Sequence, residues 1–360
     1  MHQNDFDNLI EQLANYQVVY IGETHTSRAD HLLQMMIIEA LHHKNPDLAI
    51  GMEMFPRSSQ HALDQYIQDS DFSEARFLRE SRYYEVWSYD FRLFRPLFSY
   101  AKKHKIDVVG LNADRKIVSS IFKANGLDGL TIEEIRELPP ERVLDMAGYA
   151  DRLRETYAFH GSGEEGTDSF NGFIQAQAVW DETMAESIRN YLDENPSKKM
   201  VVIAGSQHTR KDSGIPPRVA REKKVRQASV LNLATSQLSA AQLGATSDYL
   251  FMLDVPDFPP QGKIGVVLQK TGEPDIPGMK IIEINSSSGA AQAGLQNNDI
   301  ITQINNQPIK HMDDIRTTML DKSVGEIITI VVKREDKNGD ITDHTVSITL
   351  YNPDMKRAHP

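Results

Sequence analysis

The 360-residue sequence contains no cysteine, which removes disulfides, thiolate metal sites and a thiol nucleophile without fixing the compartment. Long apolar runs are missing too. None approaches the roughly 20 residues that a membrane-spanning helix needs, and the opening Met1-His2-Gln3-Asn4-Asp5 lacks the basic and apolar parts of a signal sequence. Basic residues are in deficit, 39 Lys and Arg against 51 Asp and Glu, for a formal net charge of -12. That balance disfavours phosphate backbones and anionic membranes, so nucleic acid is not an expected partner. What is left is an ordinary soluble globular composition, in a chain long enough for two domains.

The stretch Val18-Val19-Tyr20-Ile21-Gly22-Glu23-Thr24-His25 organises the chain. It is a β-branched and aromatic run that stops at a glycine and delivers two side chains able to carry acid/base or metal chemistry. Ser27 and Asp30 then form an S-x-x-D capping pair, and Leu32, Leu33, Met36, Ile37, Ala40 and Leu41 recur at helical spacing, so a helix is expected at once. Open α/β sheets hold ligands where strands end and helices begin. The residues from Asp47 to Phe55 repeat the pattern with Glu53 at the tip, and a helix is expected from Ser58 or Ser59 to Gln68. Ile106 to Asn112 gives a third strand, and Met200 to Gly205 a fourth that runs into Ser206-Gln207-His208. Ala228 to Leu233 is expected to close the domain as its last strand.

Between the third and fourth strands, Phe170, Phe173, Gln177, Trp180, Met184, Ile188 and Tyr191 recur at three- and four-residue steps, which predicts a long amphipathic helix. Asp181 lies one turn from Gln177 and Met184, either as a solvated acid or as part of a site. The alternation of strands and helices predicts an α/β domain with a mostly parallel sheet, which brings Glu23, His25, Glu53 and His208 to one edge. Those four could hold a divalent ion or use a glutamate as general base in hydrolysis; they could also form a closed hydrogen-bonded network with no reaction. The aromatic segment Tyr83 to Phe91 either covers the core or lines a slot for a flat apolar ligand. Gly161 to Gly166 reads as a mobile loop where a lid would sit.

These motifs, namely Gly22-Glu23-Thr24-His25, Gly51-Met52-Glu53-Met54-Phe55, Leu111-Asn112-Ala113-Asp114-Arg115, the run from Gln175 to Ala185, Ala204-Gly205-Ser206-Gln207-His208 and Gly214-Ile215-Pro216-Pro217-Arg218, resemble the ChaN-like family. The resemblance implies haem binding and a tie to iron uptake, and kinship with the erythromycin esterase, Tiki and TraB proteins. Haem needs a broad apolar slot, axial donors from His, Tyr or Met, and basic or hydroxyl groups for its propionates. Tyr157, His160, Gln177, Asp181 and Met184 are the candidate haem-binding residues, and the absent cysteines require that haem be held non-covalently. The alternative is a metal-dependent hydrolase of esterase or peptidase type using Glu23, His25, Glu53 and His208. The resemblance further implies a homodimer, and a periplasmic or membrane-anchored lipoprotein of a bacterium whose targeting segment is missing from these residues.

Residues 1–250 are assigned to this domain, and 251–262, with Pro256, Pro259 and Pro260, to a linker. Residues 263–352 resemble a bacterial PDZ domain, a small β-barrel-like fold, through Ala293-Gly294-Leu295, Asn298-Asp299-Ile300-Ile301, the Ile304 to Ile309 hairpin and a helix from Met312 to Leu320. In that fold a peptide adds to a sheet edge and its terminal carboxylate meets backbone N–H groups of a glycine-containing loop, here Ile264, Gly265 and Val266. A protein C-terminal peptide is therefore the expected partner of this domain.

Overall fold

The short apolar runs pair side by side. In the computed structural model, which describes residues 3–159, 167–234, 243–244, 246–271 and 276–352, the strands β1 (Val18–Glu23), β2 (Leu48–Pro56), β3 (Asp107–Asn112), β4 (Lys199–Gly205), β5 (Gln227–Asn232) and β6 (Tyr249–Phe251) form one sheet. Its order is β3-β2-β4-β1-β5-β6, and every neighbouring pair is parallel. The intervening helices are α1 (Gln3–Leu13), α2 (Arg28–Lys44), α3 (Gln60–Gln68), α4 (Glu74–Glu80), α5 (Tyr83–Val86), α6 (Arg95–His104), α7 (Arg115–Ala124), α8 (Ile132–Arg136), α9 (Tyr149–Phe159), α10 (Thr167–Glu194) and α11 (Ile215–Glu222). The chain divides into two compact units, residues 1–72 with 80–257 and residues 73–79 with 258–360.

Helices on both faces explain why β1, β2 and β4 are buried along their whole described length apart from Lys199, and why they read as continuous apolar runs rather than as alternation. The order also creates the site. The chain leaves β1 for β2 and β3 on one side, returns to insert β4 between β2 and β1, and then crosses to β5 on the other side. The carboxyl ends of β2, β4 and β1 thus lie side by side where the winding reverses, the usual ligand position of such sheets. Pairing of β2 with β3 is irregular between Met52 and Pro56, so the Glu53 tip departs from the regular ladder. Ser27 caps α2 by accepting from the Asp30 N–H at 3.2 Å, and the Asp30 carboxylate in turn accepts from Thr24 N–H at 2.8 Å and from the Asn232 amide at 2.9 Å. One capping acid therefore fixes the turn after β1 to both its own helix and β5.

Several expectations are corrected in detail. β5 does not close the sheet, because β6 pairs with it in register Val230↔Tyr249. A three-residue strand inside a Ser- and Ala-rich stretch has too few residues for any periodicity to show. A 3₁₀ turn, Arg57–Ser59, precedes α3, so the helix begins at Gln60. The glycine-rich loop from Gly161 to Gly166 lies outside the described residues.

The second unit carries β7 (Val266–Lys270), β8 (Met279–Ile284), β9 (Ile300–Ile304), β10 (Gln307–Pro308), β11 (Ile327–Glu335) and β12 (Ile341–Thr349), with α12 (Gly289–Gln292) and α13 (Met312–Met319). Its sheet is antiparallel in the order β12-β11-β9-β8-β7, with β10 on β9. Asn305 and Asn306 turn the β9–β10 hairpin with φ of 48° and 64°, the left-handed pair that a two-residue hairpin requires. Ile281, Ile301, Ile304, Ile330, Val332 and Ile348 are buried to within 1% and form the centre of its core. β7 pairs with β8 alone among the described strands and so presents a sheet edge. Ile264 and Gly265 precede that strand, as the loop reading expects. Lys263 bridges to Tyr351, and the chain enters β7 after Gly265.

Candidate functional site

Two histidine–carboxylate pairs face one another across the strand tips. On one side Glu23, at the end of β1, accepts from His25 Nδ1 at 2.9 Å through Oε1 and from the Gln34 amide at 2.7 Å through Oε2. His31 stands behind, its ring nitrogens 3.1 Å from Gln34 Oε1 and 3.2 Å from the His25 carbonyl oxygen. On the other side Asp181, from α10, accepts from His208 Nδ1 at 2.6 Å and from the Tyr149 hydroxyl at 3.0 Å. Glu53 lies between the pairs: its Oε2 accepts from Gly205 N–H at 2.6 Å, and its Oε1 is 3.5 Å from His208 Nε2. A Cβ on Gly205 would stand 2.9 Å from His25 Cε1, so only glycine lets β4 pass this close to the imidazole.

The partners fix the ring chemistry. Burial alone would raise the pKa of Glu23, but the charge of His31 and the hydrogen bond from His25 outweigh it, and the carboxyl is held below its ordinary range. Asp181 follows the same logic: burial opposes ionisation, while His208 and Arg218 overcome it and lower its pKa. Both groups are therefore carboxylates at neutral pH, and a carboxylate only accepts. Each histidine must donate from Nδ1, which turns Nε2 away from its partner. Burial would depress both imidazoles, yet both are raised. For His25 the hydrogen bond to Glu23 and the charges of Glu53 and Glu23 prevail; for His208 the charges of Glu53 and Asp181 do.

A cavity of about 520 Å³ opens over these groups. Its floor is Glu23, His25, Glu53 and His208, and its walls include Trp87, Tyr89, Phe173 and Trp180, with Arg115 also lining it. The His25 ring packs edge-on against Trp87, centroids 4.7 Å apart, and lies 5.3 Å from Tyr89. The aromatic segment thus divides its labour: Tyr83 and Phe91 are fully buried in the core, whereas Trp87 and Tyr89 face the cavity.

Of the residues singled out from sequence, Glu23, His25, Glu53, His208 and Gln177 all line this cavity. Asp181 is neither a solvated acid nor a ligand-facing one; it is 1% exposed and orients His208 from behind. Met184 is corrected: it is fully buried in the core against Val18, Tyr20 and Val202, because three residues along α10 from Asp181 is a different part of the buried face. Tyr157 stacks on Phe170 and Phe173 at 5.7 and 5.3 Å, and its hydroxyl is buried with no hydrogen-bond partner among the described residues. His160 lies outside the described residues. As for metal, no group of three or more His, Asp or Glu among the described residues is arranged to hold an ion. His25 Nδ1, both Glu23 carboxylate oxygens, Glu53 Oε2 and His208 Nδ1 are instead committed to one another and to Gln34, Asp181 and Gly205 N–H. Gln34, His31 and Tyr149 were not foreseen. Gln34 and His31 lie one turn apart on α2 and could have been found by asking which polar residues interrupt its buried face; Tyr149 follows a polar loop and carries no such signal.

A family described as haem-binding uptake, Tiki superfamily, ChaN matches residues 9–219, and the PDZ domain family matches residues 262–347. Among solved structures, ChaN of Campylobacter jejuni, described with cofacial haem binding, is 19% identical, with 69% of this chain and 92% of that chain covered and a TM-score of 0.57. The second unit finds the HtrA-type protease AlgW with a decapeptide, at 24% identity, 26% and 30% coverage and a TM-score of 0.22, so this chain spans under a third of that protease. It also finds the HtrA3 PDZ domain bound to a phage-derived ligand, at 22% identity, 25% and 85% coverage and a TM-score of 0.21. Among curated proteins nothing matches the chain. With the match running over residues 9–219, through every strand tip of the site except that of β5, the chain belongs to the ChaN family of haem-binding uptake proteins in the Tiki superfamily and carries a PDZ domain.

Proposed function

We propose that the first unit binds haem non-covalently for iron or haem uptake, and that the PDZ domain docks the protein on the C-terminal peptide of a partner. The observation that carries the first part is an aromatic-walled cavity at the strand tips of a chain that belongs to this family. The residues fit the group. Trp87, Tyr89, Phe173 and Trp180 offer flat apolar surface, and Arg115 offers a guanidinium to a propionate. The Tyr157 hydroxyl, beside Phe173 and with no hydrogen-bond partner among the described residues, is a candidate axial oxygen, and His160 remains the candidate nitrogen. Haem so bound would supply an iron centre for carriage, with no covalent tether since cysteine is absent.

Haemin titrated into the full chain should saturate with a defined Soret band, and Tyr157→Phe should shift that band or lower affinity at least tenfold. A featureless, unsaturable response sinks the haem reading; an unchanged Tyr157→Phe spectrum moves the axial role to His160. Cofacial haem, as described for the Campylobacter protein, sets two haems face to face; with one haem carried by each of two copies of this chain, haem-loaded protein should elute as a dimer. A role in uptake would be served in the bacterial periplasm or on a lipid anchor there, which fractionation of cells tests directly.

For the second unit, β7 presents the edge, and Gly265 (φ +91°) shapes the loop ahead of it. Val266, Leu268, Met312 and Met319 are the partly buried side chains around that edge and α13, an adaptable apolar pocket for a terminal side chain. A Cβ at Gly265 would collide with Ser288 Cβ as well as require a strained φ. Gly265→Val should therefore weaken binding of a fluorescent peptide with a free C-terminal valine by at least tenfold, and amidation of that peptide should do the same to the unaltered protein. Equal binding of the free and amidated peptides would exclude carboxylate capture.

A further inference from the structure

The opposite edge of the first sheet carries a second cluster of ring nitrogens. α2 starts beside the tip of β1 and runs back along the sheet for 17 residues, about 25 Å at 1.5 Å per residue, to end where β2 begins. Its last turn holds His42 and His43, and α6, which ends just ahead of β3, closes with His104. The His42 and His104 rings lie 5.1 Å apart between centroids, at 64° to one another. Tyr100, one turn before His104 on α6, packs on both: its ring is 4.3 Å from that of His104 and 5.6 Å from that of His42, and its hydroxyl is 3.0 Å from His42 Nδ1. His42 Nε2 and both His104 nitrogens have no hydrogen-bond partner among the described residues. The lysines of these turns are largely engaged elsewhere: Lys44 pairs with Glu11, Lys102 donates to the Phe72 carbonyl, and Lys105 donates to those of Ile67 and Gln68, while Lys103 is exposed.

We propose that His42 and His104 form an exchangeable site for a zinc ion, with Tyr100 as its positioning residue and water completing the coordination. The spacing carries the assignment. A tetrahedral ion holds imidazole nitrogens at about 2.0–2.1 Å, which sets the centroids of two such rings about 5 Å apart. With Nδ1–H donated to the Tyr100 oxygen, His42 presents the lone pair of Nε2, and an outer hydrogen bond of this kind is what commonly orients a ligating histidine. Charge favours a cation here as well. α2 and α6 both direct their carboxyl ends, with their partial negative charge, to this edge, and Glu39, one turn before His42, adds a carboxylate whose charge reaches the Tyr100 hydroxyl. The donors select the ion: two neutral ring nitrogens suit zinc, whereas magnesium and calcium take oxygen ligands. Two protein ligands rather than the four of a structural zinc make the ion a reversible occupant, not a requirement for folding. The site owes nothing to haem binding, because it lies at the other end of α2 from the cavity.

The test titrates zinc chloride into the full chain, haem-free, in competition with a chromophoric chelator. His42→Gln and His104→Gln should each weaken one equivalent of bound zinc at least tenfold, and Tyr100→Phe should weaken it about tenfold through loss of the orienting hydroxyl. His344→Gln, on β12, should leave it unchanged, and magnesium chloride should not displace it. Imidazole-nitrogen NMR gives a readout that a merely structural role would not move: His42 Nε2 and one ring nitrogen of His104 should shift together over the first equivalent. Thermal melting of the three variants without zinc should match that of the unaltered protein, which separates a lost ligand from a lost fold. Full zinc affinity in both histidine variants overturns the proposal, as do ring signals of His42 and His104 that stay in place while zinc binds. Loss of the zinc in His25→Gln with His42→Gln unaffected overturns it too, by assigning the ion to the strand tips.

Discussion

Arg218→Met should destabilise the first unit by about 3–5 kcal/mol, the range for breaking a buried ion pair from one side. Arg218 is wholly buried at the start of α11. Its Nη1 donates to the Ser213 and Gly214 carbonyls at 2.6 and 2.8 Å, and its Nη2 to the Val143 carbonyl at 3.2 Å. The guanidinium lies 3.6 Å from Asp181 and 3.2 Å from Glu182, and 4.6 Å from the Tyr149 ring centroid. Methionine keeps the unbranched stem, so the space that opens is confined to that of the guanidinium tip. The loss is electrostatic: three carbonyls lose their donor and two carboxylates lose a cation. Glu182 retains Arg221, at 3.1 and 2.9 Å, and Val143 N–H, so the larger part of the deficit falls on Asp181 and the loop ahead of α11. Arg218→Lys keeps the charge without the planar fork and should lose about half as much. Urea midpoints with unchanged slopes measure both. A loss below about 1 kcal/mol for Arg218→Met would mean that water reaches the pair.

The strand tips were legible from sequence because each is a covalent neighbour of its own strand. Glu23, Glu53 and His208 stand within three residues of a strand's last residue or in its final turn, and a parallel sheet must bring them to one edge. Which of them touch could not be read, since that depends on strand order, and β4 enters between β1 and β2 although it comes last of the three in the chain. The groups that orient the tips come from faces of other elements. Gln34 is one side of α2, Asp181 one side of α10, and Tyr149 the first residue of α9. Periodicity marks those faces as buried but does not say against what. Met184 shows the limit: one helical turn of α10 serves both the site, through Asp181, and the core, through Met184. In the second unit the hairpin asparagines and the Gly265 loop were legible because their backbone angles are dictated locally, at φ of 48°, 64° and 91°.

Asp181→Asn should cost about 1.5–3 kcal/mol, the worth of hydrogen bonds to a charged group, and the deficit should peak between about pH 4 and 6.5. The signs at the two ends differ. Asp181 has a folded pKa below its unfolded value, so its contribution is present above the unfolded value of about 3.9 and is lost as pH falls through the lowered one. His208 has a folded pKa above its unfolded value, so its contribution is complete below about 6.5 and is lost as pH rises through the raised one. Both describe one contact, at 2.6 Å, and it counts once. The gap between the unaltered protein and the variant should therefore narrow in acid and again in base. It does not vanish in base, because the neutral His208 ring still donates from Nδ1 and Tyr149 still needs its acceptor. Nor does His208 return to an ordinary imidazole in the variant, since Glu53 remains, and its charge is the largest of the influences that raise that ring. Urea midpoints across this pH range give the curve. A gap independent of pH would show that His208 is neutral throughout.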